Sequence, residues 1–130
     1  PQKRIQLDNY EIQDLKIVYH CKFLGIVLDQ HCRFNFHIKG IIQRISFLWM
    51  MFRFLTRFFD EKTMVNLYYS FIYPHLIYGI EFWGHAPEYL ISKLLISQKK
   101  ALCFLVKQPP NSHISHKFND LKIMPISMLL

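Results

Sequence analysis

Five residues in the first third of the chain, His20, Cys21, His31, Cys32 and His37, carry side chains that ligate zinc. Structural zinc sites present paired ligands two to four residues apart on each arm. Here each His–Cys pair is directly adjacent, an awkward spacing for a two-ligand bite, and strand alternation puts Cys21 on one face with Tyr19 and Phe23. No metal site is expected. Cys103 has apolar helical neighbours and reads as a small buried hydrophobe. Two-metal phosphoryl transfer needs clustered carboxylates. The adjacent acids are Asp60 and Glu61, and they precede an apolar helix, where they serve as its cap and first-turn residue. Asp29 has no acidic partner nearby. No P-loop, GxGxxG, HExxH or GxSxG motif occurs, so no catalytic residue is expected.

The cations are patterned differently. Between Asp29 and Asp60 stand five Lys or Arg residues and no acid. At about 100° per residue, Lys39, Arg53 and Arg57 fall within about 40° of one another on one helix, away from its apolar stripe. Lys93, Lys100 and Lys107 are seven apart and line up along a second helix. Two such stripes on neighbouring helices would track a phosphate backbone. The plainer alternative is that these are solvated outer faces.

The elements that must position these residues follow from periodicity. Ile5 and Leu7, then Tyr10 and Ile12, alternate on either side of Asp8-Asn9, predicting two short strands about a turn. Ile17 to Leu28 reads as a longer strand, buried on both sides from Phe23 onward, with a bulge or close approach at Gly25. From Ile38 the period becomes helical, with Ile41, Ile42, Ile45, Leu48, Trp49, Phe52 and Leu55 on one face. Asp60 opens a second helix, which ends or kinks at Pro74. Pro87 fits the first turn of a third helix, whose inner side carries Leu90, Leu94, Ala101, Leu102 and Leu105; Pro109-Pro110 stops it. Ser112 is expected to cap a short helix through Phe118 and Leu121, and Pro125 to start another. The expected class is α+β, mostly α: an N-terminal β-hairpin/strand element at residues 1–36, then a bundle of three to four helices at 37–130, forming one compact unit.

The 130 residues suffice for one domain burying roughly two-thirds of its unfolded surface. A hydrophobic content of 52% excludes disorder, and a net charge of +7 points to an anionic partner. Three cysteines without framework spacing argue against a secreted disulfide scaffold, and no signal segment opens the chain. Thr63 to Ile80 lacks formal charge, but its Asn, Ser, Pro, His and four Tyr make it a buried helix rather than a membrane span. Pro1 and the apolar run Ile126 to Leu130 read as cuts through a longer protein, truncated at both ends.

Four blocks, in order, carry a family resemblance. Phe23-Leu24-Gly25-Ile26-Val27-Leu28-Asp29, with Phe34 and His37-Ile38, resembles a run of non-LTR retrotransposon reverse transcriptases of the jockey-like group. Leu67-Tyr68-Tyr69-Ser70-Phe71-Ile72-Tyr73-Pro74-His75-Leu76-Ile77-Tyr78-Gly79, followed by Trp83-Gly84, resembles a second. Gln98-Lys99-Lys100-Ala101-Leu102 is similar to a third, and Phe118-Asn119-Asp120-Leu121-Lys122-Ile123-Met124-Pro125-Ile126 to a fourth. Together they cover roughly residues 5 to 128.

The resemblance implies the region after the palm: the junction strands, then a helical thumb that holds the template–primer duplex by its backbone. Lys39, Arg53, Arg57, Lys93, Lys99, Lys100 and Lys107 would make those contacts, to an RNA–DNA or RNA duplex, and Trp83 would pack rather than read a base. It further implies an RNA-directed DNA polymerase as parent, with magnesium held in the missing palm domain and no cofactor in this chain. The location would be intracellular, nuclear for an active element. Two departures stand out. The family's paired catalytic aspartates are absent, so this chain alone is expected not to polymerise, and Cys103 stands where a basic residue is expected. The alternative is a non-functional transposon remnant, or a helical protein-interaction module without nucleic acid binding.

Overall fold

A computed structural model describes residues 2–7 and 10–130, with side chains from residue 17 onward. Strands β1 (Gln2–Leu7) and β2 (Tyr10–Lys16) pair antiparallel, with Leu7 opposite Tyr10, Ile5 opposite Ile12 and an irregularity between Lys3 and Ile5. The two strands are those the alternation predicts; the turn at Asp8-Asn9 lies outside the described residues.

The predicted strand over residues 17–28 is corrected to a second hairpin, β3 (His20–Phe23) and β4 (Ile26–Asp29), with Phe23 opposite Ile26. Gly25 is a turn residue, not a bulge. Leu24 (φ 48°) and Gly25 (φ 82°) both take positive φ, as a two-residue turn matching strand twist requires. Phe23 and Leu24 are correspondingly exposed, and Ile26 alone of this run is buried. The turn is held from outside: the Tyr78 hydroxyl donates to the Leu24 carbonyl, and a Cβ on Gly25 would lie 3.3 Å from the Tyr78 ring. Its neighbour Gly79, at φ 67°, leaves room for Ile26, whose Cδ1 is 2.6 Å from where a Cβ would stand. The Phe-Leu-Gly and Tyr-Gly motifs are thus two halves of one joint.

After β4, Asp29 organises the loop into the first helix. Its carboxylate accepts from the backbone amides of His31 (3.2 Å), Arg33 (2.8 Å) and Asn35 (3.2 Å). Desolvation pushes the Asp29 carboxyl upward, but these amides outweigh it and leave its pKa below the ordinary value. A depressed folded pKa means that this stabilisation is complete above the unfolded value of 3.8 and is lost as pH falls through the folded one. Asp29→Ala is expected to cost about 1–2 kcal/mol at neutral pH. Thermal melts of both proteins from neutral to acid pH check this; the difference should shrink in acid, and parallel curves would disprove the role.

Helix α1 (Asn35–Leu55) buries Ile38, Ile41, Ile45 and Phe52, the stripe expected from spacing. Asp60 caps α2 (Glu61–Phe71), accepting from the Thr63 amide at 3.3 Å. Pro74 sits at the start of α3 (Tyr73–Ile77), where its missing donor is not needed. Helix α4 (Ile80–Trp83) is one turn, and α5 (Glu88–Leu105) takes Pro87 as its N-cap rather than in its first turn. Helices α6 (Lys117–Asp120) and α7 (Ile126–Leu129) are single turns. Ser112 does not cap α6, which begins after His116; its amide bonds the Pro109 carbonyl (3.0 Å) in the turn made by the prolines.

Helix α5 lies along α1, and two contacts fix its direction. Near the helix starts, the Tyr89 hydroxyl donates to Asn35 Oδ1 (2.9 Å); further along, the Trp49 and Phe104 rings stack with centroids 5.0 Å apart. Both pairs climb together, so the helices run parallel. The molecule is α+β and mostly α: among the described residues, three longer helices carry the bundle and four short ones close it. Among the described residues no helix is long and apolar enough to cross a membrane.

Candidate nucleic-acid interface

The parallel pairing sets the height of each cation. Asn35 beside Tyr89 and Trp49 beside Phe104 put Lys39 level with Lys93, and Arg53 level with Lys107. Successive levels are separated by about 21 Å along the axes. Direction around each helix follows from the same geometry. On α1, Asn35, Lys39 and Arg53 share a sector of about 40°; on α5, so do Tyr89, Lys93 and Lys100. Because Asn35 and Tyr89 touch, the two sectors adjoin along one flank of the helix pair. Lys39, Arg53, Lys93 and Lys100 therefore border a single seam, and all four are exposed.

Within the seam, the Lys93 ammonium stands 5.7 Å from the Tyr89 ring centroid, a cation–π contact that leaves the charge available. Among the described residues one ion pair forms, Lys117 with Asp120 at 3.6 Å, so no described carboxylate neutralises the seam cations. Tyr89 and Asn35 were not legible as site residues, since neither type signals a contact until the helices are paired.

The other three predicted cations lie elsewhere. Helix α1 stops at Leu55 with Thr56 as its C-cap, so Arg57 occupies the following turn and the wheel angle does not apply to it. Lys107 lies beyond the Val106 C-cap in left-handed backbone (φ 55°), next to the seam's far end but off the helix. Lys99 points about 100° away from Lys100. It borders a cleft with Leu95, Phe118, Asn119 and Pro125, against the C-terminal turns rather than the seam.

The carboxylates do not assemble. Asp60 is occupied as a helix cap and Asp29 by backbone amides. Among the described residues no group of three or more His, Cys, Asp or Glu side chains could hold a metal ion. These residues do not fit the magnesium site of a polymerase. Cys21 and Cys32 are exposed and unpaired; Cys103 is buried, and burial pushes its thiol pKa up. A basic side chain at position 103 would point into the core, so this departure takes nothing from the seam.

Trp83 is fully buried, with its indole N–H donated to the Tyr78 carbonyl at 2.8 Å. Gln98, within the Gln-Lys-Lys-Ala block, is also fully buried and makes no surface contact. The block's residues divide by direction: Gln98 inward, Lys99 toward the C-terminal turns, Lys100 onto the seam.

Over 105 residues this chain is 32% identical to the RNA-directed DNA polymerase from mobile element jockey of Drosophila melanogaster. The match takes in 78% of this chain, which spans 12% of the jockey polymerase's length. The chain is related in sequence to an RNA-directed DNA polymerase of a mobile element. No family model matches the chain, and no solved structure matches it.

Proposed function

We propose that this chain is the part of a non-LTR mobile-element reverse transcriptase that follows the palm, and that it grips a template–primer duplex through the α1/α5 seam. Residues 1–36 form the junction with the palm and 37–130 the thumb-like region; magnesium and the catalytic carboxylates belong to the palm. The observation that carries this reading is the single flank formed by Lys39, Arg53, Lys93 and Lys100 on two parallel helices. Levels about 21 Å apart let such a flank follow a backbone over roughly two-thirds of a helical turn of duplex. Phosphate contacts of this kind position a nucleic acid without reading its sequence. A second reading, a protein-interaction module, draws on the exposed Phe47 and Phe54 of α1.

Fluorescence anisotropy with a labelled RNA–DNA duplex separates the two. Four phosphate contacts predict that log K falls against log salt with a slope of roughly −3 to −4. The Lys93→Glu, Lys100→Glu double variant should lower affinity at least roughly tenfold and remove about two from that slope, whereas Lys99→Glu should change little. Affinity insensitive to salt, or equal losses for Lys99→Glu and Lys100→Glu, would overturn the seam.

A further inference from the structure

On the side of α1 about 180° from Arg53, Arg44 enters a different setting. There the β3–β4 hairpin, α1 and α3 border an open cleft of about 400 Å³, lined by Lys22, Gly25, His37, Arg44, His75 and Tyr78. Among the described residues no carboxylate lines it. His37 forms part of the wall and is 7% exposed. Its Nδ1 accepts the Val27 amide at 3.3 Å, which puts the proton of the neutral ring on Nε2. That Nε2 is buried and has no hydrogen-bond partner among the described residues. With less than 1 Å² exposed, that atom belongs to the wall and does not itself touch an occupant; what favours an anion is the lining by Lys22 and Arg44. Burial first, and then the Arg44 charge, hold the pKa of both His37 and His75 below the ordinary histidine value, so Arg44 acts on both rings.

We infer that this cleft binds a phosphate monoester. Lys22 and Arg44 supply two positive charges, matching a monoester near −2 better than a backbone diester at −1. The Lys22 ammonium, the Arg44 guanidinium and the His75 imidazole offer N–H donors to its three terminal oxygens. The cleft holds more than one phosphate, so the group bound is a free monoester or the phosphorylated end of a strand. This inference does not use the α1/α5 seam.

The test uses the whole chain. Inorganic phosphate is titrated at constant ionic strength while the histidine ring resonances are followed by NMR, and two oligonucleotides differing only in a 5′ phosphate are compared by calorimetry. Saturable shifts at His37 and His75, but not at His85 or His113, are expected. Arg44→Gln should weaken phosphate at least roughly tenfold, while the Lys93→Glu, Lys100→Glu variant leaves it unchanged. A preference for the 5′-phosphorylated oligonucleotide assigns a strand end; equal oligonucleotide affinities with saturable phosphate assign a free monoester. Absence of saturable shifts in the unmodified chain, or full phosphate affinity in folded Arg44→Gln, would overturn the site. Loss of duplex affinity in the seam variant with phosphate binding intact separates this site from the seam.

Discussion

Trp83→Ala is expected to lose about 3–5 kcal/mol of stability, a large share of what a domain of this size possesses. The indole is fully buried, and its N–H is committed to the Tyr78 carbonyl. It also underlies the joint between the second hairpin and α4: the Cβ position of Gly79 lies 3.8 Å from Trp83 Cδ1, and the His37 ring is 6.2 Å away. Removing the side chain leaves a void beneath a turn whose left-handed residues are tolerated only while their surroundings hold them. Trp83→Phe keeps part of the ring but strands the carbonyl, so a loss of about 1–2 kcal/mol is expected. Urea unfolding followed by circular dichroism, with Trp49 as the remaining fluorophore, measures both. An alanine variant within about 1 kcal/mol of the parent would show that the joint does not depend on this residue.

Gln98→Leu is the second large effect. The Gln98 amide donates to the Tyr68 hydroxyl (2.8 Å) and to the Met124 carbonyl (3.0 Å), and accepts from the Ile126 amide (2.8 Å). One side chain thereby satisfies groups on α2 and at the start of α7 from a fully buried place on α5. Burial pushes the Tyr68 phenol pKa far up, so this network stays uncharged across the accessible pH range. Leucine keeps the volume but leaves the buried Ile126 amide and the part-buried Met124 carbonyl without partners, costing about 3–5 kcal/mol in all. Amide exchange should then accelerate first at Ile126 to Leu129, ahead of α5. Uniform exchange across the molecule would show that Gln98 does not tether the C-terminal turns.

The helices and their inner faces were legible because burial follows a 3.6-residue period: Ile38, Ile41, Ile45 and Phe52 on α1, Leu90, Leu94 and Ala101 on α5. Asp60 was legible because capping is local. The second hairpin was not. Its turn is Leu24-Gly25 rather than Asn-Gly, and a leucine at positive φ is sustained by Tyr78, 54 residues away. Periodicity extends the helices to Arg57 and Lys107, but they stop at Leu55 and Leu105, and neither Thr56 nor Val106 signals a stop. Residue type alone does not tell Lys99 from Lys100; direction around the helix does. Arg44 carries no signal in the sequence because His75 and Lys22 join it from elements that spacing along one helix cannot bring in.

The parallel course of α1 and α5 carries a consequence for how the chain is born. Neighbours pointing the same way cannot be joined by a tight turn, so residues 56–87 must travel back about 30 Å before α5 can begin. Partners across the pair are 54 residues apart in sequence, and the entropy of closing that loop is spent before any packing compensates it. A nascent chain halted short of α5 would leave the greasy inside of α1 uncovered, a target for chaperones or for clumping, until the last third of the polypeptide emerges.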